Sequence, residues 1–128
     1  MAALVKEYMI KKREVVSPDD SVQSAIQLMV DNDQGSVIVT DSDDKVLGIF
    51  TERDVLRRYL ISQDKVLYLK VSEVMSSPVT TISAEATVSD ALATMNRENI
   101  RRLPVVDDER RMIGFISWME VFRNLPTG

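Results

Sequence analysis

The feature that most constrains the fold of this chain is an internal repeat. When the 128-residue sequence is shifted by 66 residues, it matches itself without a gap from about residue 5 to residue 57. The shift superimposes identical residues along its whole length, including Val5 on Val71 and Gly48 on Gly114. Self-similarity at a fixed period indicates two copies of one supersecondary unit. The sequence therefore divides into a first repeat, a linker and a second repeat, at residues 4–61, 62–70 and 71–125.

The hydrophobic pattern predicts the same elements in each repeat. A short β-branched run, at 15–16 and again at 79–82, is typical of a strand. Apolar residues then recur at helical spacing, from Val22 to Val30 and from Val88 to Met95. Two strands around an acidic turn and a final helix complete each copy, at 36–40, 45–50 and 55–60, and at 102–106, 111–116 and 121–125. The predicted unit is β-α-β-β-α, and the predicted class is α+β with an α/β-like character.

The strands and the length of each repeat predict how the two copies behave. The strand sequences are almost continuously apolar, as in Val37-Ile38-Val39, so we expect both faces of each sheet to be covered. A unit of about 55 residues buries too little surface to be stable alone. We therefore expect the two repeats to pack into one compact module.

Composition excludes several classes of function. The chain contains no histidine and no cysteine, which removes Ser-His-Asp and Cys-His catalysis, zinc sites built on these residues, iron–sulfur clusters and disulfides. The formal net charge of −4 disfavours broad binding to nucleic acid, which depends on neutralising phosphate charge. No run approaches the roughly 20 apolar residues of a membrane span, and Lys6 and Glu7 interrupt any signal-peptide core. We expect a cytoplasmic protein without a membrane partner.

The first candidate site is the segment Gly48–Asp54, where a predicted strand runs into a helix. A helix N-terminus offers free N–H groups to an anion, Thr51 adds a hydroxyl, and Asp54 can accept both hydroxyls of a ribose. The same two residues also fit a helix cap, with the hydroxyl at the N-cap and the acid three residues later. The residues alone leave both explanations open.

The second candidate site is the pair Arg101 and Arg102 at the entry to a buried strand. Arginine in such a position can bind phosphate bidentately. The alternative is a solvated pair close to Asp107. The first repeat has Gly35 and Ser36 at the matching positions, so the fold of the unit does not itself require the two charges.

The remaining polar and aromatic clusters have simpler explanations. Lys11-Lys12-Arg13 and Arg110-Arg111 are expected to be solvated faces. The acidic turn at 41–44 lacks the twelve-residue loop of a calcium site, so no metal is predicted. Trp118 is expected to pack in the core or against a partner more often than on a ligand.

Taken together, these residues carry a family resemblance. The 66-residue tandem repeat, Gly48-Ile-Phe-Thr-Glu-Arg-Asp54 and Ile100-Arg-Arg-Leu-Pro-Val-Val-Asp107 resemble a pair of CBS domains, the Bateman module, over about residues 4–125. The resemblance implies a stand-alone pair whose repeats pack through their sheets around a pseudo-two-fold axis, leaving two clefts. It also implies binding of an adenosine-containing ligand (AMP, ADP or ATP, or S-adenosylmethionine or NAD), regulation rather than catalysis, and no required cofactor.

The resemblance also assigns residues to the two clefts. In one cleft, Asp54 matches the ribose-binding acid, Thr51 the hydroxyl that meets phosphate, and the basic pair the phosphate contacts. Adenine would lie in an apolar slot formed by Val37, Ile38, Val79 and Thr80. The other cleft departs from the pattern, because Glu120 stands where the family has aspartate and no cation faces the cleft. It would be weak or absent, and its residues would be Ser117, Glu120 and Pro104.

These observations predict a regulatory module that binds an adenine nucleotide for an unidentified regulated protein. Two alternatives stay open: a scaffold whose clefts are vestigial, and a nucleic-acid binder that uses Lys11, Lys12 and Arg13. An enzyme is not predicted, since no second acid is suitably paired with Asp54. Four helical residues are expected to remain exposed and to form a homodimer: Tyr59, Leu60, Trp118 and Phe122.

Overall fold

The structure, a computed structural model, describes residues 2–11 and 14–125. Its α-helices are α1 (Val5–Tyr8), α2 (Val22–Asp31), α3 (Glu52–Ser62), α4 (Val88–Glu98) and α5 (Trp118–Arg123). Its strands are β1 (Val15–Val16), β2 (Ser36–Thr40), β3 (Val46–Thr51), β4 (Ile82–Ser83), β5 (Arg102–Val106) and β6 (Met112–Ser117). Two 3-10 helices follow α3, at Gln63–Tyr68 in the predicted linker and at Val71–Glu73 at the start of the second repeat. The order confirms the predicted β-α-β-β-α repeat and the α+β class.

Each repeat builds one three-stranded mixed sheet. The orders are β1-β2-β3 and β4-β5-β6, with the first pair parallel and the second antiparallel in both sheets. The parallel pairing differs by one residue between the copies. In the first sheet Val15 pairs with Ile38, whereas the matching residues Thr81 and Pro104 do not pair with each other and β4 begins at Ile82. Pro104 has no N–H to donate, which accounts for the later start of a strand expected at 79–82.

The chain forms two units by its internal contacts, and they do not coincide with the two repeats. The central unit is Glu14–Val79, and the terminal unit combines residues 1–13 with residues 80–128. The first segment of each repeat therefore lies in the unit of the other. Val5 of α1 donates its N–H to Ala86 of the terminal unit at 2.8 Å, and Val71 donates to Asp20 of the central unit at 2.8 Å.

A separate hydrophobic core holds each unit together. The core of the central unit includes Phe50 and Val71, and that of the terminal unit includes Val5 and Ile116. The segment predicted as a linker contributes to the first core, because the 3-10 helix Gln63–Tyr68 buries Val66 within it. Burial of such side chains supplies the main stabilisation of each unit, about 1.5–3 kcal/mol for each large one.

The sheets are not covered equally on their two faces. Along β3, buried residues alternate with half-buried ones, and β6 shows the same alternation. Successive side chains of a strand point to opposite faces, so β3 and β6 each have one face in the core of their unit and one half-buried face, whereas residues 103–106 of β5 are buried on both faces. Along β3 and β6, one face is buried and the other is partly covered. Within the described part of the chain, no helix is long and apolar enough to cross a membrane.

Candidate functional site

The first predicted site lies in the central unit, where β3 continues directly into α3. Thr51 is the N-cap, and its hydroxyl accepts from the backbone N–H of Asp54 at 3.1 Å. The carboxylate of Asp54 in turn accepts through Oδ2 from the Thr51 N–H at 2.9 Å and from the Thr51 hydroxyl at 3.0 Å. This is a complete capping box. The structure therefore shows that these two residues form a helix cap, whether or not they also bind a ligand.

Asp54 makes a further hydrogen bond that a helix cap does not require. Its Oδ1 accepts from the hydroxyl of Ser76 at 2.7 Å. Asp54 is only 6% exposed, and it is the buried charged side chain among the residues that the structure describes. Burial of a carboxylate is costly unless donors compensate it, and three donors do so here. The carboxylate is thus held in one orientation from two sides.

The backbone brings Ser76 to Asp54. Ser76 and Ile49 of β3 exchange two backbone hydrogen bonds, at 2.8 and 2.9 Å, which lays the segment along the edge of the sheet. Gly48 permits this approach, since a Cβ there would lie 2.7 Å from Met75 Sδ and 2.8 Å from the Ser76 carbonyl oxygen. A side chain at residue 48 would push the segment away from Asp54.

The matching corner of the terminal unit is built differently. Ser117 caps α5 by accepting from the Glu120 N–H at 3.1 Å, but no reciprocal bond from the carboxylate closes the box. The Glu120 carboxylate turns instead toward Asn124, whose Nδ2 is 3.4 Å from Oε2, and toward Arg123, whose guanidinium is 3.9 Å from Oε1. Ile10, the counterpart of Ser76, has no hydroxyl to donate. Glu120 is half-buried and loosely held compared with Asp54.

The two predicted phosphate-binding arginines lie in different surroundings. The guanidinium carbon of Arg102 is 4.0 Å from the centre of the Phe115 ring, in a cation–π contact on the half-buried face of the terminal sheet. Such a contact helps to orient the guanidinium group. Arg101 is exposed just before β5 and lines a groove together with Trp118. The structure therefore separates the pair into one stacked and one groove-lining arginine.

The four predicted slot residues also divide. The side chain of Val37 belongs to the core of the central unit, and the neighbouring Ile38 lies on the opposite, half-buried face. Val79 is half-buried and is the last residue of the central unit, whereas Thr80 begins the second segment of the terminal unit. The Thr80 hydroxyl donates to Glu98 Oε1 at 2.9 Å. Because the Val37 side chain lies in the core, this residue can offer only its backbone to a ligand.

The acidic turns use their carboxylates locally. Asp41 accepts from the N–H groups of Asp43 and Lys45, and Asp107 accepts from those of Glu109 and Arg111. The Arg111 N–H, which donates to Asp107, is the main cause that holds the pKa of this carboxyl below its ordinary value. Among the described residues, no group of three acidic side chains could hold a metal ion.

Several residues from the sequence predictions belong to other parts of the molecule. Pro104 is buried in β5, and Ser117 is half-buried at its cap. Lys11 is exposed, while Lys12 and Arg13 lie outside the described residues, so the basic cluster has no structural account.

Two residues that contact the candidate residues were not predicted from the sequence: Ser76, which donates to Asp54, and Phe115, which lies against Arg102. Their signal was present in the repeat, because the 66-residue shift places Ser76 on Ile10 and Phe115 on Ile49. A hydroxyl and an aromatic ring thus stand where the other copy has isoleucine. Differences between the copies, rather than identities, mark the residues that hold Asp54 and Arg102.

Comparison with protein families gives two matches on this chain. The model of the CBS domain matches residues 5–61 and again residues 71–127. Among curated proteins, the chain is 37% identical to inosine-5'-monophosphate dehydrogenase of Methanocaldococcus jannaschii over 117 residues. That alignment covers 91% of this chain and 22% of the dehydrogenase, so the chain spans about a fifth of that relative's length.

Solved structures share the whole fold. The CBS domain pair of protein MJ0100, in complex with 5'-methylthioadenosine and S-adenosyl-L-methionine, is 26% identical with a TM-score of 0.80, covering 96% of this chain and 95% of that one. CBSX2 in complex with AMP is also 26% identical, with a TM-score of 0.82 and 94% of each chain covered. Both of these proteins are in complex with an adenosine derivative, although the ligands differ beyond the nucleoside.

Proposed function

Because the chain belongs to the CBS domain family and carries two CBS domains in tandem, we propose that it is a regulatory module that binds an adenosine-containing ligand without turning it over. The observation that carries the proposal is the carboxylate of Asp54, buried and fixed by three donors at the start of α3. The adenosine ligands of two structural relatives support the ligand class. We take AMP, ADP and ATP as the first candidates.

Asp54 is proposed to accept the ribose hydroxyls. A carboxylate offers about four acceptor positions, and the three donors from Thr51 and Ser76 occupy three of them. One ribose hydroxyl fits the remaining position. The second would replace or bond to the Ser76 hydroxyl, whose residue is exposed and whose torsion is free to turn. Fixation of the carboxylate before binding lowers the entropy lost when a ribose is bound.

Arg102 is proposed as the principal phosphate contact, with the Phe115 ring keeping its guanidinium in place. Guanidinium and phosphate form charge-assisted, bidentate hydrogen bonds, each worth about 1.5–3 kcal/mol. Thr51 would contribute its hydroxyl only if its proton turned away from Asp54. Ile38, Val79 and Thr80 are retained as proposed neighbours of the base, with the backbone of Val37.

The second cleft, with Ser117, Glu120 and Pro104, is proposed to bind weakly or not at all. Glu120 shares its carboxylate with Asn124 and Arg123 and has no counterpart of the Ser76 hydroxyl. A mobile acid must lose side-chain entropy when it holds a ribose, which weakens binding. We therefore expect one tight site per chain.

A homodimer is proposed as the assembly in which this module works. The four helical residues expected to be exposed are exposed: Tyr59 by 41%, Leu60 by 79%, Trp118 by 37% and Phe122 by 64%. Apolar patches of this kind usually mark interfaces.

One observation favours a second candidate function, a scaffold with vestigial clefts. Thr51 and Asp54 satisfy each other in the capping box, so their presence is explained without a ligand. A scaffold would keep the cap and bind no nucleotide.

Calorimetric titration with AMP, ATP and S-adenosylmethionine distinguishes the two functions. We expect one tight site per chain for at least one ligand, a rise in melting temperature with that ligand, and full recovery of ATP after incubation. A ligand at one hundred times its dissociation constant adds about 2.7 kcal/mol to the stability of the folded protein. Absence of heat and of any thermal shift with all three ligands would favour the scaffold, and hydrolysis abolished in Asp54→Asn would establish an enzyme.

A further inference from the structure

The segment that carries Ser76 is fixed to the central unit at both of its ends. We call this segment, residues 71–76, the strap. At its start the Val71 N–H donates to the Asp20 carbonyl oxygen at 2.8 Å, and at its end Ser76 and Ile49 exchange two backbone hydrogen bonds. The matching segment of the terminal unit is fixed by the equivalent backbone bonds. The backbone arrangement of the strap is therefore common to both copies of the repeat.

The side chain of Arg58 adds a contact in the middle of the strap. Arg58 is half-buried on α3, and its Nη1 donates to the carbonyl oxygen of Glu73 at 3.4 Å. Its Nε donates to the hydroxyl of Ser62 at 3.2 Å. Because the guanidinium is planar, the bond to Ser62 also fixes the direction of the other N–H groups. The guanidinium thus joins α3 to the strap.

Two side chains of α3 now hold the strap, one helical turn apart. Arg58 lies four residues after Asp54, which is about one turn of an α-helix. Asp54 accepts from the Ser76 hydroxyl at 2.7 Å, and Arg58 donates to Glu73, three residues earlier in the strap. The two contacts together fix the strap against the helix that carries the buried carboxylate.

The terminal unit forms the same backbone arrangement without either side-chain contact. The 66-residue shift places Arg58 on Asn124 and Ser76 on Ile10. The Asn124 amide donates to the Glu120 carbonyl oxygen at 2.7 Å, within its own helix end, and Ile10 has no side-chain donor. The fold of the unit therefore requires neither contact. Within the part of the chain that the structure describes, both accompany the fixed carboxylate.

We propose that Arg58 is a positioning residue, which holds the strap so that the Ser76 hydroxyl stays on Asp54. Without the guanidinium the strap would keep its backbone bonds, but Ser76 would move more and Asp54 would be less well oriented. A less well oriented acceptor loses more entropy when it binds a ribose. The effect on a ligand rests on the proposed function, whereas the effect on the strap does not.

Amide hydrogen exchange without ligand, followed residue by residue by NMR, tests the hold on the strap. Arg58→Met keeps the aliphatic stem and removes the guanidinium. We expect the N–H groups of Ser76 and Ile49 to exchange roughly threefold faster, while the Val71 N–H at the other end of the strap is unchanged. Arg57→Met is the matched control, because Arg57 is the exposed neighbour on α3.

Either of two exchange results would overturn the inference. No acceleration at Ser76 and Ile49 would show that Arg58 does not hold the strap. Equal acceleration at Val71 would show a general loss of stability rather than a local release.

Calorimetric titration with adenosine and AMP tests the consequence for the proposed site. We expect Arg58→Met to weaken both ligands about threefold, within the range of one net hydrogen bond, because both contain the ribose. Arg57→Met should hardly change the binding of adenosine. In a Ser76→Ala background, Arg58→Met should cause no further loss, because its effect passes through the Ser76 hydroxyl.

The titrations separate failure of the inference from failure of the proposed function. A loss for AMP alone would indicate a long-range charge effect, and an additive loss in the double variant would show that Arg58 acts independently of Ser76. Either result would overturn the inference. A wild type that binds no adenosine ligand would overturn the proposed function, and the exchange rates would still decide whether Arg58 holds the strap.

Discussion

The corner at Thr51–Asp54 and the corner at Ser117–Glu120 have the same backbone and different chemistry. In both, a hydroxyl caps the helix by accepting from the N–H three residues later at 3.1 Å. In the first corner the acid returns the bond and is gripped by Ser76. In the second the acid is directed along its own helix, toward Asn124. The cap is thus a requirement of the fold, whereas the fixed carboxylate is an addition to it.

The difference lies in the direction of the carboxylate and in one hydroxyl. Asp54 reaches back to the N-cap N–H, whereas the Glu120 side chain is directed toward Asn124 and Arg123 of its own helix end. Serine at position 76 then offers a donor that isoleucine at position 10 cannot. Two small sequence differences separate a candidate ribose site from a plain helix start, and each can be removed by mutation.

Loss of the two acids should give the largest contrast. Asp54→Ala is expected to weaken binding of AMP at least a hundredfold, because two charge-assisted hydrogen bonds are lost. Glu120→Ala is expected to change it less than threefold. Calorimetric titration of both variants gives the two dissociation constants. Equal losses, or two equal tight sites in the wild type, would contradict the asymmetry.

The two arginines should differ next. Arg102→Ala is expected to weaken binding of AMP at least tenfold, the effect of losing one or more charge-assisted hydrogen bonds to the phosphate. Binding of adenosine should hardly change, since adenosine has no phosphate. Arg101→Ala is the matched neighbour, and its effect on AMP should be several times smaller because Arg101 lines a groove. Competition titrations with AMP and adenosine measure both ratios. A larger loss of AMP binding in Arg101→Ala than in Arg102→Ala would indicate that Arg101 is the phosphate contact.

Removal of the Ser76 hydroxyl should produce a smaller effect with a specific signature. Ser76→Ala is expected to weaken binding of AMP roughly two- to tenfold, the range of one net hydrogen bond. The loss arises because Asp54 is then less well fixed. The loss should shrink with 2'-deoxy-AMP and 3'-deoxy-AMP, which lack a hydroxyl for the carboxylate. Ser76→Thr should restore binding, and Ser77→Ala serves as the exposed neighbour control. The same loss with ribose and deoxyribose ligands would leave Ser76 with a structural role only.

The smallest contrast concerns stability without ligand. Thr51→Ala should lower the free energy of unfolding toward the upper end of the roughly 0.5–2 kcal/mol range of N-cap losses, because it also removes a donor to buried Asp54. The loss in the free energy of unfolding for Ser117→Ala should lie toward the lower end of this range, since no carboxylate is held by the Ser117 hydroxyl. Urea denaturation of the two variants measures both values. A larger loss at Ser117 would contradict the account of the two caps.

The sequence predicted the elements well where the repeat and the hydrophobic period agreed. The bounds of β2 and β5 are those predicted, and the pattern from Val22 to Val30 falls within α2. The strand expected at 79–82 begins only at Ile82, since a β-branched run forms a strand only where its partner can donate. The matching Val15–Ile38 pair forms because Ile38, unlike Pro104, has an N–H.

The boundaries of the two units could not be predicted from the sequence, for a physical reason. Val5 and Val71 are equally apolar and equally buried, so nothing in either residue tells which core will receive it. The linker prediction missed the burial of Val66 for a related reason, because the apolar run 66–69 is too short to establish a helical or strand period. Asp54 and Arg102 were predicted as candidate site residues and remain so, whereas their contacts with Ser76 and Phe115 emerged from side-chain geometry.

The exchange of first segments between the two repeats has a consequence for the order in which the two units fold. Lys6 and Glu85, joined by a 3.1 Å ion pair, are 79 residues apart, so the terminal unit closes only after nearly two thirds of the chain has been synthesised. Closure of so long a loop costs entropy that grows with the logarithm of its length. Folding of the terminal unit is therefore expected to be the slower event. A cut within 62–70 would leave neither fragment with a complete hydrophobic interior, and the two fragments would regain it only by complementing one another.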